Sequence, residues 1–423
     1  MDTSLKHFDI VVIGGGAAGM VAAISARTHH PDKTVALVEK SSELGRKLLV
    51  SGAGRCNLTN LQLEDKPEQF FEGTGKDLAK KIFKCFDYNN IVSFFSDLGV
   101  RLAPEKKGEQ NKVFPVTQQA KTVLNALEAE LAHQGVSVLT NIEVINIQHN
   151  KKANTFRLQL KKSDESISAK HVILTTGGQT YPILGSDGAG YEIVKVFGHK
   201  IIAPIVSAVP FEAKNALSQV LQGVKMELGV KLFSKEKLIA ENIGDVIFTK
   251  YGLSGSAILE LSRVASVELN RNGVRDLMVK LNFYPGENMA DLKKWFEKML
   301  KSRPNKTVVD ILRGSLPFNL PGTILKFLDI SLETKVSELT KQKIDALLES
   351  LTAFEIKITA TRGWDEAEFT AGGVDGSEIK VTLESKKVPG LYFAGEVIDV
   401  DGAIGGFNLS WAWSSGFVAG KLE

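Results

Sequence analysis

The pattern of apolar positions predicts alternating strands and helices at both ends of the chain, with a different pattern between them. Residues 8–13 are rich in Ile and Val, which predicts a short buried strand of a parallel sheet. Small residues at helical spacing follow at 17–27, and a second apolar run at 34–39 predicts the next strand. This strand–helix–strand order is typical of an α/β domain built on a parallel sheet.

The same alternation continues to about residue 200 and resumes near residue 366. The predicted helices lie at 76–99, 118–134, 191–197 and 409–421, and the predicted strands at 136–139, 143–148, 155–160, 171–175 and 389–396. In the middle, strand-like alternation is found at 206–211, 225–233, 246–249 and 276–283, and 288–350 is rich in helix, with capping signals at Asn288 and Ser331. We therefore predict an insertion, part β and part helical, within an α/β domain that both chain ends form.

Composition and charge narrow the class of protein. The chain has 423 residues, enough for two or three domains, and 43% hydrophobic and 24% charged residues are ordinary for a globular protein. A net charge of +3 is too small to indicate a nucleic-acid or membrane partner. No apolar stretch is long enough to span a bilayer, and residues 1–7 are too short and polar for a signal peptide. We therefore expect a cytoplasmic protein with a small-molecule substrate.

Three glycines between the first strand and its helix have the spacing of a dinucleotide-binding motif. Gly14, Gly16 and Gly19 form the sequence G-x-G-x-x-G. Gly14 permits a tight turn, Gly16 lets a pyrophosphate approach the backbone, and Gly19 lets the helix pack closely on the strand. Free N–H groups at the start of the helix, near Ala17 and Ala18, would then face the phosphates.

An acidic residue completes this motif. Glu39 ends the second strand about twenty residues after Gly19, where a carboxylate can accept hydrogen bonds from ribose hydroxyls. Acid at this position argues against a 2′-phosphate on the nucleotide. The N-terminal unit therefore predicts a site for FAD or NAD. No second unit of this kind follows, so a nicotinamide nucleotide would bind only transiently.

Residues 44–60 mix glycine, serine, asparagine and cations without periodicity, which predicts a loop. A polar loop after the nucleotide motif can supply cations to a pyrophosphate. The candidates are Arg46, Lys47 and Arg55. Cys56 lies in the same loop, but the other cysteine, Cys85, is too distant in sequence to form a redox pair with it. We therefore expect Cys56 to be a structural residue near the cofactor.

The C-terminal segment carries a second pattern, which suits a flavin. The apolar run 389–396 ends in Gly395 and Glu396, and glycines within 402–406 lead into the helix at 409–421. The carboxylate can accept from a ribityl hydroxyl. The helix N-terminus can stabilise the negative charge that a reduced flavin carries at N1 and O2. NAD has no equivalent group, so this pattern favours FAD.

With both ends considered, the sequence resembles the BaiN-like (YhiN-like) NAD(P)/FAD-dependent oxidoreductases. These are bacterial flavoproteins distantly related to the glutathione reductase and fumarate reductase flavoproteins. The motifs that carry the resemblance span nearly the whole chain and lie at 14–19, 45–47, 54–60, 176–178, 181–182, 252–255, 372–374, 395–397 and 411–416. Ala53, Ser256 and Phe407 stand where the family usually has Gly, Pro and Tyr.

The resemblance implies an α/β fold whose Rossmann-type FAD-binding domain is formed by 1–200 and 366–423. It implies an inserted β-barrel-like cap domain at 201–285, a small helical subdomain at 286–350 and a return strand of the cap at 351–365. Some members of the family are similar to enzymes that reduce conjugated steroid enones. The two separated cofactor motifs predict non-covalent FAD, and the single dinucleotide unit predicts NAD(P)H as a transient co-substrate.

The residues and the resemblance together predict one set of cofactor contacts, and they identify no catalytic residue and no metal ligand. The set is Gly14, Gly16, Ala17, Ala18, Gly19, Glu39, Lys40, Arg46, Lys47, Gly52, Gly54, Arg55, Cys56, Asn57, Val144, Thr176, Gly177, Gly395, Glu396, Gly406, Phe407, Asn408 and Leu409.

These observations predict a FAD-dependent oxidoreductase that transfers hydride between flavin N5 and a small organic substrate. The first alternative is an RNA-modifying flavoprotein, against which the near-neutral charge argues, because RNA phosphates require a basic surface. The second alternative is a non-catalytic flavin sensor or partner-binding protein. The long insertion favours an enclosed small molecule over that alternative.

Overall fold

The computed structural model describes residues 5–105, 111–213 and 216–423. They form two compact units. The split unit consists of Met1–Ile205 and Glu368–Glu423, and the inserted unit is Val206–Ala367. Both ends of the chain therefore contribute to one unit. The further division of the insertion into a cap and a helical subdomain stays a prediction.

A seven-stranded sheet forms the core of the split unit. Its strands lie in the order Ser137–Leu139, Val35–Val38, Leu5–Ile13, Ser166–Leu174, Thr155–Leu160 and Val144–Asn150, with Leu391–Phe393 also paired to Ser166–Leu174. Thr155–Leu160 and Val144–Asn150 join by antiparallel pairing, and the other pairs are parallel. The strand predicted at 171–175 thus begins earlier, at Ser166, because the segment before it also pairs with Leu5–Ile13.

The register of the parallel strands brings four chain segments to one edge of this sheet. Ile13 is paired with both Val38 and Leu174, and Leu174 is paired with Phe393. The residues that follow these strand ends therefore leave the sheet side by side. In open α/β sheets, ligands bind at this carboxyl edge.

Helices and short strands surround the sheet. The helices of the split unit are Ala17–His29, Arg46–Val50, Lys76–Cys85, Tyr88–Asp97, Ala120–His133, Ala189–Lys195 and Phe407–Lys421. Its short strands are Thr59–Asn60, Phe71–Glu72, Leu102–Pro104, Lys112–Pro115, Ile201–Ser207, Phe369–Val374 and Asp401–Gly402.

The first and last helices pack against each other through small residues. A Cβ on Gly416 would lie 2.4 Å from the Ala18 carbonyl oxygen, and one on Gly420 would lie 2.5 Å from that of Ala22. The last helix is also fixed by the indoles of Trp411 and Trp413, both buried, which donate hydrogen bonds to the Gly395 and Leu58 carbonyls. This close packing places the N-termini of both helices at the same edge of the sheet.

The inserted unit is built on an antiparallel sheet. In spatial order its strands are Phe354–Ile358, Leu277–Asn282, Lys225–Ser234, Lys237–Thr249, Gly252–Ser254, Phe211–Glu212 and Ala360–Thr361. Its helices are Ala216–Val220, Ser256–Ser266, Met289–Ser302, Val308–Leu312, Asn319–Phe327 and Lys341–Thr352, and Val267–Arg271 is a π-helical turn. A second dinucleotide unit would need parallel strands, and every strand pair in the described part of this unit is antiparallel.

Three local predictions require correction. Residues 44–60 contain the five-residue helix Arg46–Val50, which starts after Gly45 in the left-handed conformation and is too short to give a periodic signal. Ser331 does not cap a helix: its hydroxyl accepts from the Glu333 N–H in a turn. The C-terminal helix begins at Phe407, two residues earlier than predicted, because Gly406, with φ +102°, ends the preceding loop. The cap at Asn288 is confirmed, since its side chain accepts from the Asp291 N–H.

Candidate functional site

A cavity of about 700 Å³ lies in the split unit at the carboxyl edge of its sheet. Its wall contains the residues that follow the aligned strand ends, among them Gly14, Glu39, Thr175 and Ala394. It also contains residues from the starts of both closely packed helices. The volume falls within the range of small-molecule and cofactor sites.

The three glycines of the N-terminal motif occupy three different environments. A Cβ on Gly14, whose φ is +108°, would lie 2.5 Å from the Thr175 carbonyl oxygen, and one on Gly19 would lie 1.8 Å from that of Gly14. Gly14 and Gly19 are therefore required by packing. A Cβ on Gly16 would meet no atom within 4 Å, because this glycine faces the cavity. The packing of the protein does not require glycine at position 16. A pyrophosphate lying against the backbone does require it, because a side chain would occupy the same space.

No side chain caps the start of helix Ala17–His29. Its first N–H groups and the positive end of its dipole are therefore available to an anion at the cavity wall, where Gly16, Ala17 and Ala18 lie. A diphosphate satisfies both the hydrogen-bonding groups and the partial charge.

Glu39 is held in place by the backbone. Its carboxylate accepts from the Gly15 N–H at 2.7 Å through Oε2 and from the Ser41 N–H at 2.7 Å through Oε1. Each oxygen retains a second acceptor position, so the carboxylate can still receive ribose hydroxyls. The predicted role of Glu39 stays a prediction, with its orientation provided by these two bonds.

Five cations line the cavity, Lys112 among them, and three of the other four form ion pairs with carboxylates. Lys40 lies 2.7 Å from Asp187, Lys47 lies 2.6 Å from Glu396, and Arg55 lies 2.9 Å from Glu105. Arg46 is half-buried in the same wall, and within residues 5–105, 111–213 and 216–423 its guanidinium makes no hydrogen bond or ion pair. Among the three cations predicted from the loop, Arg46 is therefore the one best suited to a phosphate.

We expect Arg46→Ala to weaken FAD binding by about 2 kcal/mol, or roughly 30-fold in the dissociation constant, because a charge-assisted hydrogen bond to the pyrophosphate is lost. Titration of apoprotein with FAD, followed by flavin fluorescence, measures this. Lys40→Ala is the control, since Lys40 already has a carboxylate partner, and it should change the constant less than threefold. An equal loss in both variants would contradict the assignment.

The start of the C-terminal helix forms the opposite end of the cavity. Gly405, Gly406, Asn408 and Leu409 line it, and no side chain caps the helix. Asn57 also lines this end, and its buried Oδ1, close to Gly406, has no hydrogen-bond partner. A flavin pyrimidine edge presents one N–H donor between two carbonyl acceptors, so an unpaired acceptor beside free helix N–H groups fits it.

Two further observations refine the site. Thr176 lines the cavity with a buried hydroxyl that has no partner, as expected for a group that bonds a ligand. The side-chain amide of Asn408, by contrast, is already hydrogen-bonded within the protein. It accepts from the Gly402 N–H and donates to the Gly402 carbonyl. Asn408 therefore shapes the helix start, and its backbone is better placed than its side chain to contact a ligand.

Glu396 makes more contacts within the protein than its predicted role requires. Its carboxylate accepts from Lys47 Nζ, the Gly178 and Thr370 N–H groups and the Thr180 hydroxyl. Desolvation alone would raise the pKa of Glu396, but the Lys47 ammonium and the other donors outweigh it and hold the pKa below its usual range. With four donors already bound, the carboxylate has little capacity left for a ribityl hydroxyl.

The cavity brings together all but four of the predicted cofactor residues. Those that do not line it are Gly19, Gly54, Cys56 and Phe407. Gly19 and Phe407 act through packing, next to residues that do line it. Cys56 is fully buried, with a φ of +61°, and burial raises the pKa of its thiol to about 12. A thiol with a pKa this high is a poor nucleophile, which agrees with the structural role predicted for Cys56.

Cys56→Ser should therefore retain most of the turnover and the bound FAD. The substitution changes one buried atom, and the neighbouring Ser51 can hydrogen-bond the new hydroxyl. Steady-state rates and flavin content measure the effect, and loss of turnover with FAD still bound would mean that the thiol takes part in the reaction. In the native protein, a thiol reagent should label the exposed Cys85 first.

Some cavity residues gave no signal in the sequence. Lys112 and Phe114 lie on a short strand, and Glu368 precedes another, so neither segment has a motif of its own. Asp187 lies in the glycine-rich segment before helix Ala189–Lys195, and Tyr181 belongs to a motif that carried the family resemblance but had no predicted contact. The register of distant segments brings these side chains to the cavity, and this register cannot be derived from local periodicity.

The described part of the chain offers no group of three or more His, Cys, Asp or Glu side chains suited to a metal ion. In the same residues, no helix combines the length and apolar character that a membrane crossing requires.

Comparison with known proteins gives a family match over almost the entire chain. The family described as the HI0933-like protein Rossmann domain matches residues 8–422. A 3-dehydro-bile acid delta(4,6)-reductase of Clostridium scindens is 32% identical over 413 residues, which are 97% of this chain and 98% of that protein. A ribosomal RNA dihydrouridine synthase of Escherichia coli is 29% identical over 421 residues, covering 99% and 98% of the two chains.

Solved structures support the same architecture. The 3-ketosteroid-delta4-(5alpha)-dehydrogenase of Rhodococcus jostii, in complex with 4-androstene-3,17-dione, superposes with a TM-score of 0.50. It is 13% identical in sequence, and the alignment covers 98% of this chain and 97% of that one. At this identity the likeness concerns the fold.

Proposed function

The chain belongs to the HI0933-like Rossmann-domain family of FAD-dependent oxidoreductases, and from that premise we propose that it reduces a carbon–carbon double bond conjugated to a carbonyl group in a small molecule. The observation that carries the proposal is the single cavity running from Glu39, past the open face of Gly16, to the start of helix Phe407–Lys421. The reductase from C. scindens supports the substrate class, because delta(4,6) double bonds beside a 3-oxo group form such a conjugated system.

Bound FAD would supply two electrons, as hydride from N5, to the substrate. The chain supplies the environment. Gly16, Ala17 and Arg46 would hold the diphosphate, and Glu39 would hold the adenosine ribose. The N–H groups at the start of Phe407–Lys421 would stabilise negative charge on the pyrimidine edge, which favours the reduced state.

The electron donor is proposed to be NAD(P)H, bound transiently. The one dinucleotide motif lies in the split unit, and the antiparallel sheet of the inserted unit has no parallel strand pair to form another within the described residues. A donor without a domain of its own would reduce the enzyme and leave before the substrate enters. We propose that this takes place in the cytoplasm, which agrees with the absence of disulfides between Cys56 and Cys85.

A second candidate is reduction of uridine in ribosomal RNA. The E. coli relative favours it, and the chemistry is related, since the uracil 5,6 double bond is conjugated to the C4 carbonyl. The net charge of +3 argues against an RNA substrate, because RNA binding usually requires a strongly basic surface.

The test begins with enzyme reduced anaerobically, with flavin absorbance recorded after mixing with an acceptor. If the proposal is correct, 4-androstene-3,17-dione reoxidises the flavin stoichiometrically and yields the saturated ketone, and a 3-oxo-delta(4,6) bile acid yields a ketone with one double bond fewer. In a parallel arm, ribosomal RNA that lacks dihydrouridine is incubated with enzyme and NAD(P)H and then digested for mass spectrometry. Dihydrouridine formation without enone reduction would replace the first candidate by the second.

A further inference from the structure

Reduction of a conjugated double bond requires a proton as well as a hydride, and two of the seven acidic side chains that line the cavity have no partner in the described residues. Among the acidic side chains that line it, Glu39, Glu105, Glu143, Asp187 and Glu396 each have hydrogen-bond or ion-pair partners in the protein. Glu368 also lines the cavity, and its carboxyl group makes no hydrogen bond or ion pair in the part of the chain that the structure describes.

Glu368 lies near the end of the cavity assigned to the flavin. The charge of Lys112 acts on its carboxyl group, and the Lys112 Cε lies 3.6 Å from the position of a Cβ on Gly405. Gly405 directly precedes Gly406, the N-cap of helix Phe407–Lys421. Phe369, the next residue after Glu368, is buried in the cavity wall and begins strand Phe369–Val374. The backbone beside Glu368 is therefore fixed, while its side chain opens into the cavity.

The environment of Glu368 favours the protonated form. Protein atoms crowd the side chain although it is exposed to the cavity, so desolvation raises the pKa of its carboxyl group above the usual range, and Lys112 opposes part of that rise. The other charged groups on this wall are Arg55 and Glu105, which neutralise each other at 2.9 Å. Glu43, the other cavity acid without a partner in the described residues, lies at the nucleotide end, because the next residue, Leu44, is 2.4 Å from the position of a Cβ on Gly15.

We propose that Glu368 is the proton donor of the reaction, delivering a proton to the α carbon of the conjugated substrate. This inference rests on the proposed function. The β carbon accepts hydride from the reduced flavin, and the π electrons shift toward the carbonyl to form an enolate. A new C–H bond then forms at the α carbon as the Glu368 O–H bond breaks. The substrate is reduced by two electrons, the flavin is oxidised, and the carboxylate regains its proton from solvent.

The test compares Glu368→Gln with wild-type holoenzyme in separate half-reactions. Glutamine keeps the size of the side chain but carries no acidic proton. Flavin content and reduction by dithionite should be unchanged, whereas reoxidation of the reduced flavin by the enone should slow at least about 100-fold, the contribution expected of a general acid. Asp365→Asn is the matched control, because Asp365 is an exposed acid nearby in sequence that does not line the cavity, and it should behave as wild type.

Two further readouts separate proton donation from a merely structural role. The wild-type reoxidation rate should fall as pH rises through the raised pKa of Glu368, and Glu368→Gln should lack this dependence. In apoprotein labelled with 13C at glutamate Cδ, the resonance of Glu368 is the one that is missing from Glu368→Gln. That resonance should titrate at a higher pH than an ordinary glutamate.

The outcomes distinguish this inference from the proposed function. If wild type reduces the enone and Glu368→Gln does so equally fast, Glu368 is not the donor and the proposed function stands. If wild-type reduced flavin is not reoxidised by any enone, the proposed function fails and the inference fails with it. A resonance that titrates at or below the ordinary range would also overturn the proposal.

Discussion

Gly16→Val is expected to abolish tight FAD binding while leaving the apoprotein folded. The valine Cβ would enter open space in the cavity, and the glycine φ of −80° is one that any residue adopts. The side chain would occupy the position where a pyrophosphate approaches the backbone. We expect the dissociation constant for FAD to rise at least about 100-fold, equivalent to about 2.7 kcal/mol. Apoprotein stability should fall by only about 1 kcal/mol, the usual effect of a poorer helix N-cap.

Two other glycines provide controls. Gly363 also has no neighbour within 4 Å of its Cβ position and lies outside the cavity, so Gly363→Val should bind FAD normally. Gly19→Val should destabilise the fold itself, because its Cβ would lie 1.8 Å from the Gly14 carbonyl oxygen. Isothermal titration of apoprotein with FAD and thermal unfolding of the same samples separate the two effects. Wild-type affinity in Gly16→Val would show that the cofactor lies elsewhere.

Removing the Glu396 carboxylate should cost about 4 kcal/mol of folding stability, as measured in Glu396→Ala. The Lys47 ammonium and two backbone N–H groups would lose their acceptor. The loss is large because the Lys47 and Glu396 side chains are only 28% and 21% exposed. Urea unfolding of the apoprotein, followed by fluorescence of the buried Trp411 and Trp413, measures this without a contribution from FAD. Asp187→Ala is the control. It breaks the more exposed ion pair with Lys40 and should cost about 1 kcal/mol or less.

The contribution of Glu396 should depend on pH with a definite sign. Its pKa in the folded protein is lowered, so the stabilisation is fully present above the ordinary glutamate pKa and is lost as pH falls through the lowered folded value. The difference between wild type and Glu396→Ala should therefore be constant from about pH 5 to 8 and shrink below about pH 4. A difference that grows at acidic pH would mean that the carboxylate is not stabilised by Lys47.

Much of the fold and of the nucleotide half of the site could be predicted from the sequence. The glycines at 14, 16 and 19 and the acid at 39 occupy fixed positions along a strand–helix–strand unit. Such a unit is local, so spacing alone indicates its geometry. The C-terminal helix was similarly evident from its leading glycines. These two helices pack through Gly416 and Gly420, which lets both contribute to one cavity.

The flavin end of the site was harder to predict, because it depends on contacts between distant segments. Glu368 and Lys112 are far apart in sequence, and only the tertiary fold brings Lys112 beside Gly405 and close enough for its charge to act on Glu368. The pairing of Lys47 with Glu396 was not evident either. The sequence predicted that Lys47 and Glu396 each contact the cofactor. In the fold the two side chains meet in a partly buried place, where a cation and a carboxylate form an ion pair with each other.

A crystal structure of the holoprotein would show where FAD lies. We expect FAD in the cavity of the split unit, with its ribose at Glu39, its pyrophosphate against Gly16 and Arg46, and its pyrimidine edge at the start of helix Phe407–Lys421. Glu368 should then lie close enough to flavin N5 for one substrate carbon to receive hydride and its neighbour a proton. A flavin bound in the opposite direction, or density for FAD outside this cavity, would contradict the account.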